Sequence, residues 1–136
     1  MRPPDEVKKA LVGQWLSKAD QDLKAGEALL DIQPPFLYPA CFHAQQAAEK
    51  YLKALLTWHQ VEFPKTHAIE LLLEILKRAD PQTAIRLEET VELTPYGVDL
   101  RYPGDQPDPE LSEAVNAIDL ARKVRDAVMN RLESVL

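Results

Sequence analysis

The stretch Phe42-His43-Ala44-Gln45-Gln46-Ala47-Ala48-Glu49-Lys50-Tyr51-Leu52-Lys53-Ala54-Leu55-Leu56 decides the fold. It contains neither proline nor glycine and consists largely of strong helix formers. At about 100° per residue, Ala44, Ala47, Ala48, Tyr51 and Leu55 fall on one stripe, with Gln46, Glu49, Lys50 and Lys53 opposite. The alanines in the apolar stripe leave room for another helix to come close. The stretch reads as a helix-packing module.

Outward from it, prolines and polar turns divide the chain into further helical segments, with no convincing strand. The spacing predicts a first helix from about Asp5 to Asp31, with Leu11, Trp15, Leu16, Ala19, Leu23 and Leu30 at helical intervals. Pro34-Pro35 stops it. The second helix covers roughly Leu37 to Gln60, with Pro39 tolerated in the first turn and Pro64 beyond the end. Thr66 is the expected N-cap of a third helix that runs to about Arg78. Asp80-Pro81 is a cap followed by proline at the first helical position, which predicts a short fourth helix over about Gln82 to Leu93. Thr94 to Pro107 reads as an ordered loop. Asp108-Pro109-Glu110 repeats the cap-and-proline signal and opens a last helix to near Leu136. Its apolar stripe is Leu111, Ala114, Val115, Ile118, Ala121, Val124, Val128 and Leu132. Three long helices and two shorter ones predict an all-α fold, an antiparallel up-and-down four-helix bundle with an additional short helix, in one domain spanning 1–136.

A chain of 136 residues is long enough to bury one working core. With 46% hydrophobic and 28% charged residues, its composition points neither to disorder nor to a membrane protein. No apolar run approaches the roughly 20 residues that span a bilayer. The first residues lack the apolar segment of a secretory signal, so a cytoplasmic location is expected. Cys41 is the sole cysteine, which rules out an intrachain disulfide and disfavours a cysteine-built zinc site. No two histidines stand at metal-ligand spacing on one helix, so neither a metal nor another cofactor is expected. The net charge of −6 argues against nonspecific nucleic-acid binding over the whole surface and leaves room only for a local basic cleft.

Four pieces of the chain, in order, are similar to the HEPN family, named for its occurrence in higher eukaryotes and prokaryotes. They are Trp15, Ala19, Asp22 and Leu23 in the first helix, and Phe42 to Lys50 followed by Lys53-Ala54-Leu55-Leu56 in the second. Pro64-Lys65-Thr66-His67 before the third and Arg101-Tyr102-Pro103 before the last complete the set. The resemblance spans about Trp15 to Leu132 and implies an up-and-down four-helix bundle, usually dimeric, whose last loop and helix contribute to the working surface. It also implies that small prokaryotic members are often encoded beside a minimal nucleotidyltransferase. In such pairs the HEPN protein can be an RNA-cleaving toxin and its neighbour the antitoxin, while other members are noncatalytic nucleotide-, RNA- or protein-binding modules.

RNase-active HEPN members place a histidine after an arginine, with four to six residues between the two. Metal-independent cleavage needs a base for the 2′-hydroxyl and an acid for the leaving oxygen, both suited to histidine near neutral pH. An arginine can hold the phosphate and stabilise the added charge. After Arg101 the candidate positions hold Gln106, Pro107 and Asp108, and His43, His59 and His67 have no arginine at the required distance upstream. The expected function is therefore a nucleotide-binding or protein-interaction module in a toxin–antitoxin-like pair with a minimal nucleotidyltransferase. The alternatives are a metal-independent RNase toxin using Arg101 with His43 or His67, and a purely structural dimerisation module.

Each candidate residue has a plain reading beside the functional one. Arg101 and Tyr102 could bind phosphate and stack on a base, or Arg101 could anchor its loop to a carboxylate such as Asp99 or Asp105. Glu49 and Lys53 form a favourable i,i+4 pair that suits a solvated face. With Gln46 and Lys50 they could instead line an interhelical groove or dimer seam. His67 fits a structural hydrogen bond at a helix start or a general base. His43 would need a second group to converge on it, and His59 should sit in a frayed helix end. Arg122, Lys123 and Arg125 form the densest basic patch, which complements the helix dipole or touches RNA or a partner. Trp15 and Trp58 read as core or interface anchors.

Overall fold

The computed structural model describes residues 4–98 and 107–135. These residues are helical with no strand among them: α1 (Pro4–Asp31), α2 (Leu37–Trp58), α3 (Ile69–Ala79), α4 (Pro81–Arg86), a 3₁₀ helix η1 (Glu88–Leu93), α5 (Thr94–Val98) and α6 (Leu111–Val135). Arg101 and Tyr102 lie outside the described residues.

α2 is the central rod. Ala40, Cys41, Ala44, Ala47, Ala48, Tyr51, Leu52, Ala54, Leu55 and Leu56 are all buried. α1 packs against it in the opposite direction: Phe36 donates its backbone amide to Leu29 O (3.0 Å) at one end, and Lys8 Nζ lies 4.0 Å above the Trp58 ring at the other. α6 closes the layer. A Cβ on Gly26 of α1 would stand 2.8 Å from Ile118 Cδ1 of α6 and 3.3 Å from Ala40 O of α2, so glycine is what permits the three helices to meet there. Small residues at Ala114, Ala117 and Ala121 continue the close approach along α6.

The helix ends explain the remaining course. α2 stops in a Schellman motif, with Gln60 N donating to Thr57 O (3.0 Å) and Val61 N to Leu56 O (3.1 Å). Gln60 takes the left-handed backbone (φ 58°) that this motif requires. Residues 59–68 then lie along the bundle, where Phe63 meets Trp15 edge-on at 6.3 Å. α3 starts at Ile69, later than Thr66. The Thr66 hydroxyl accepts from Ala68 N (3.0 Å), and the open amide of Ile69 is satisfied by Thr94 Oγ1 (3.0 Å), a residue of α5. Asp80 caps α4 as expected, accepting from Thr83 N (3.3 Å) and Thr83 Oγ1 (2.7 Å).

The expected fourth helix over Gln82 to Leu93 divides at Leu87. Leu87, Thr90 and Leu93 are all fully buried, a spacing of three that an α-helix would rotate off the core but a 3₁₀ helix stacks on one face. The Thr90 hydroxyl donates to Leu87 O at 2.6 Å, reinforcing the tighter turn. Part of the segment read as a loop is helical, since Thr94–Val98 forms α5; Pro95 falls in its first turn, where a missing amide donor is harmless. In α6, Leu111 and Val115 are 54% and 43% exposed, so the apolar stripe leaves the core at its first turns. Leu11 of α1 is likewise exposed.

His59 is not in a frayed end. Its ring packs beneath the α3–α4 junction, Nε2 3.9 Å from Asp80 Oδ2 and without a hydrogen-bond partner among the described residues. Arg131 of α6 donates to the same carboxylate oxygen at 3.0 Å. Burial pushes the His59 imidazole below its ordinary value; Asp80 pulls it up, while Arg131 and Lys8 push it further down. Burial also works to raise the Asp80 carboxyl, but the two Thr83 hydrogen bonds and Arg131 outweigh it and hold it low.

Two outcomes follow from this packing. Ala48→Leu forces extra volume between fully buried helices and should destabilise the fold by about 1–3 kcal/mol in urea denaturation. Because the folded state favours neutral His59, its contribution is complete above the unfolded imidazole value of about 6.5 and is lost as pH falls below it. Between pH 7 and 5, denaturation midpoints of the wild-type chain should fall more steeply than those of His59→Asn.

Candidate functional site

α2 carries two rows of polar residues that the tertiary structure separates. One row, Gln45, Glu49 and Lys53, repeats every four residues and is buried. Glu49 Oε2 accepts from Lys53 Nζ at 3.0 Å, and Glu49 Oε1 accepts from Gln45 Nε2 at 3.3 Å. The Lys53 ammonium lies 5.5 Å from the Trp15 ring centroid and 6.0 Å from that of Phe63. The face read as solvated is therefore interior, because α1 and the 59–68 segment cover it.

The row reaches solvent through His67. Its Nδ1 lies 2.8 Å from Glu49 Oε1, while the imidazole is 56% exposed. The Glu49 carboxylate accepts, so Nδ1 is the donor of this pair and Nε2 is the ring nitrogen on the side away from Glu49. Gln45 Nε2 also donates to His67 O (2.9 Å), fixing the backbone beneath the ring. Gln46 Nε2 donates to Gln45 Oε1 (2.6 Å), so each polar atom of the Gln45 amide is occupied.

α5 shapes the wall of this site. A Cβ on Gly97 would stand 2.3 Å from Gln45 Cδ and Oε1, so only glycine lets α5 lie on the glutamine. Tyr96 holds α5 in place: its carbonyl accepts from Tyr38 OH at 3.3 Å, and its hydroxyl donates to Glu113 of α6 at 3.0 Å.

The second row faces α1. Asp22 accepts from His43 Nδ1 (2.9 Å) and pairs with Lys50 Nζ, while Phe42 meets the His43 ring edge-on at 5.5 Å. One turn on, Tyr51 donates to Asp20; burial and then the Asp20 carboxylate hold the phenol above its usual range. His43 and His67 are thus fixed by different carboxylates on different faces of α2 and do not converge on one site.

The basic patch of α6 is neutralised within the chain. Arg122 donates through Nε (3.0 Å) and an Nη (2.5 Å) to Glu27 of α1, and also to Asp119 (3.2 Å). The Glu27 hydrogen bond, working against partial burial, raises the guanidinium above its ordinary value. Arg125 pairs with Asp126 at 2.9 Å and Lys123 with Glu89. The hydrogen bond to Asp126 likewise raises Arg125. Carboxylates of the same chain answer all three cations, a structural role met by ion pairs rather than by the helix dipole that the sequence suggested.

The HEPN domain profile matches residues 12–132, the span that contains the Glu49–His67 site and most of the helices around it. The chain belongs to the HEPN family. A HEPN-type module is therefore the established part of its character. A solved structure similar to this HEPN chain is that of TT1696 from Thermus thermophilus, at 30% sequence identity and a TM-score of 0.65, covering 88% of this chain and 96% of that one. A comparison with curated proteins finds no match. Among the described residues no helix is long and apolar enough to cross a membrane, and no three histidine, cysteine or acidic side chains gather as metal ligands would.

Sequence reasoning grouped Gln46, Glu49, Lys50 and Lys53 on one face and passed over Gln45 and Gly97. The i,i+4 spacing of Gln45, Glu49 and Lys53 was the available signal. Gly97→Ala should displace Gln45 and destabilise the chain by about 1–3 kcal/mol. In a Gln45→Ala background the same change should cost at least about 0.5 kcal/mol less, as a double-mutant cycle in urea would register.

Proposed function

We propose that this chain is a noncatalytic, cytoplasmic HEPN module that acts as a homodimer in a toxin–antitoxin-like pair with a minimal nucleotidyltransferase, and that it contacts a nucleotide or RNA at the His67 face. The observation that carries the reading is the fixed, half-exposed imidazole. Glu49 holds Nδ1, and its carboxylate is in turn held by hydrogen bonds from Gln45 and Lys53. An imidazole oriented in this way suits hydrogen bonding to a ribose hydroxyl or a base edge. Arg101 and Tyr102 would supply phosphate contact and stacking. Gln46 adjoins Gln45 on α2, whereas Lys50, Arg122 and Arg125 are engaged within the chain by Asp22, Glu27 and Asp126 and drop out of this reading.

A second reading has one specific observation behind it. A carboxylate holding an imidazole by Nδ1 is also how a general base is oriented, so His67 with Arg101 could serve a metal-independent RNase. The absence of histidine at positions 106–108 weighs against that assignment.

The two readings part in one preparation. In the recognition reading, ATP raises the melting temperature of the chain, His67→Ala and Arg101→Ala reduce that rise, and RNA stays intact in EDTA. RNA cleavage in EDTA that disappears in folded His67→Ala would replace recognition with catalysis. Co-purification with a nucleotidyltransferase after RNA digestion supports the pairing, and its absence together with a flat ATP response removes the proposed function.

A further inference from the structure

A groove of about 210 Å³ runs between α3 and the α4–η1 segment, apart from the His67 face. Leu73 and Ala84 form its buried floor. Ile85 and Val91 stand on its other wall at 54% and 37% exposure, two aliphatic side chains left in water beside an apolar trough. Glu70, Glu74 and Glu88 rim it, with Lys77 as the one cation among its lining residues. All three glutamates are exposed, and Glu70 differs in accepting from the Thr94 hydroxyl at 2.7 Å, which leaves Glu74 and Glu88 as the carboxylates open to a partner.

We infer that this groove docks an amphipathic helix of a partner protein, apolar on one side and lysine- or arginine-rich along its flanks. The volume falls below the roughly 300 Å³ at which small-molecule pockets begin, so side-chain anchors suit it better than a metabolite. The lining positions on α3 (70, 73, 74 and 77) span two turns, which matches an apolar i, i+3, i+4, i+7 face laid alongside. The described residues contain no strand, so the groove has no backbone edge to pair with an extended peptide. The Glu74 and Glu88 carboxylates select positive flanks. They also discriminate against a second copy docking through its exposed Leu111 and Val115, because Glu110 and Glu113 accompany that face. The inference stands independently of nucleotide contact at His67.

The test is fluorescence anisotropy with a labelled peptide about four turns long, leucines at the helical apolar positions and lysines between them, against a scrambled isomer of equal composition. The helical-pattern peptide should bind the wild-type chain and weaken as salt rises. Ile85→Asp and Glu88→Lys should each weaken it roughly tenfold. Glu62→Lys, the same charge change at an exposed position off the groove, should stay within about twofold. Equal binding of the scrambled isomer, or equal loss in Glu62→Lys and Glu88→Lys, would reduce the effect to bulk charge and overturn the inference. So would sedimentation showing self-association that Ile85→Asp abolishes, since the occupant would then be a second copy. Ile85 is half in water, and Glu88→Lys decides the matter should Ile85→Asp fail to fold.

Discussion

The Glu49–Lys53 ion pair inside α2 is the constraint around which the rest of the structure is arranged. Two charges withdrawn from water need full compensation, since an unpaired partner left in the interior costs about 3–5 kcal/mol. The compensation comes from every direction. Lys53 lies under the rings of Trp15 and Phe63, and Glu49 accepts from Lys53, Gln45 and His67. Besides α2 itself, those partners belong to α1 and to the 59–68 segment that leads to α3. The pair therefore ties the path of the chain on both sides of the central helix, beyond what apolar packing alone specifies.

The same pair sets the chemistry of the surface above it. His67 is the point where the buried network meets solvent, and its orientation is inherited from a carboxylate that Gln45 and Lys53 also bind. The Gln45 amide, filled by Glu49, Gln46 and the His67 carbonyl, transmits that rigidity to the wall made by α5. Gly97 closes the arrangement because any side chain there would strike Gln45. Around His43 the logic repeats with Asp22, on the face that α1 covers. His43 on α2 and His67 in the 59–68 segment are thus held by separate carboxylates, Asp22 of α1 and Glu49 of α2, and their separation makes a shared acid–base pair geometrically unsupported.

Charge is distributed in a way that composition alone conceals. The net charge of −6 sits on a surface where the densest cations, Arg122, Lys123 and Arg125, are answered by Glu27, Glu89, Asp119 and Asp126. Among the described residues, the acidic rim of the α3–α4 groove has no such internal answer at Glu74 and Glu88. An apolar trough with uncompensated carboxylates is a different kind of surface from a neutralised helix face, and the two adjoin along η1.

The all-helical character, the HEPN resemblance and the Asp80 cap were legible in the chain because each rests on local chemistry: helical period, proline placement and side chains that bond neighbouring amides. The apolar stripe of α2 was legible for the same reason. The burial of Glu49 and Lys53 was not, since an i,i+4 ion pair looks identical on a wet face and in a core, and only the helices laid over it distinguish them. Nor could local rules supply the cap of α3 from Thr94, the break at Leu87 or the exposure of Leu111 and Val115. Each depends on which residues, distant in the chain, arrive alongside, and that is decided by packing in three dimensions.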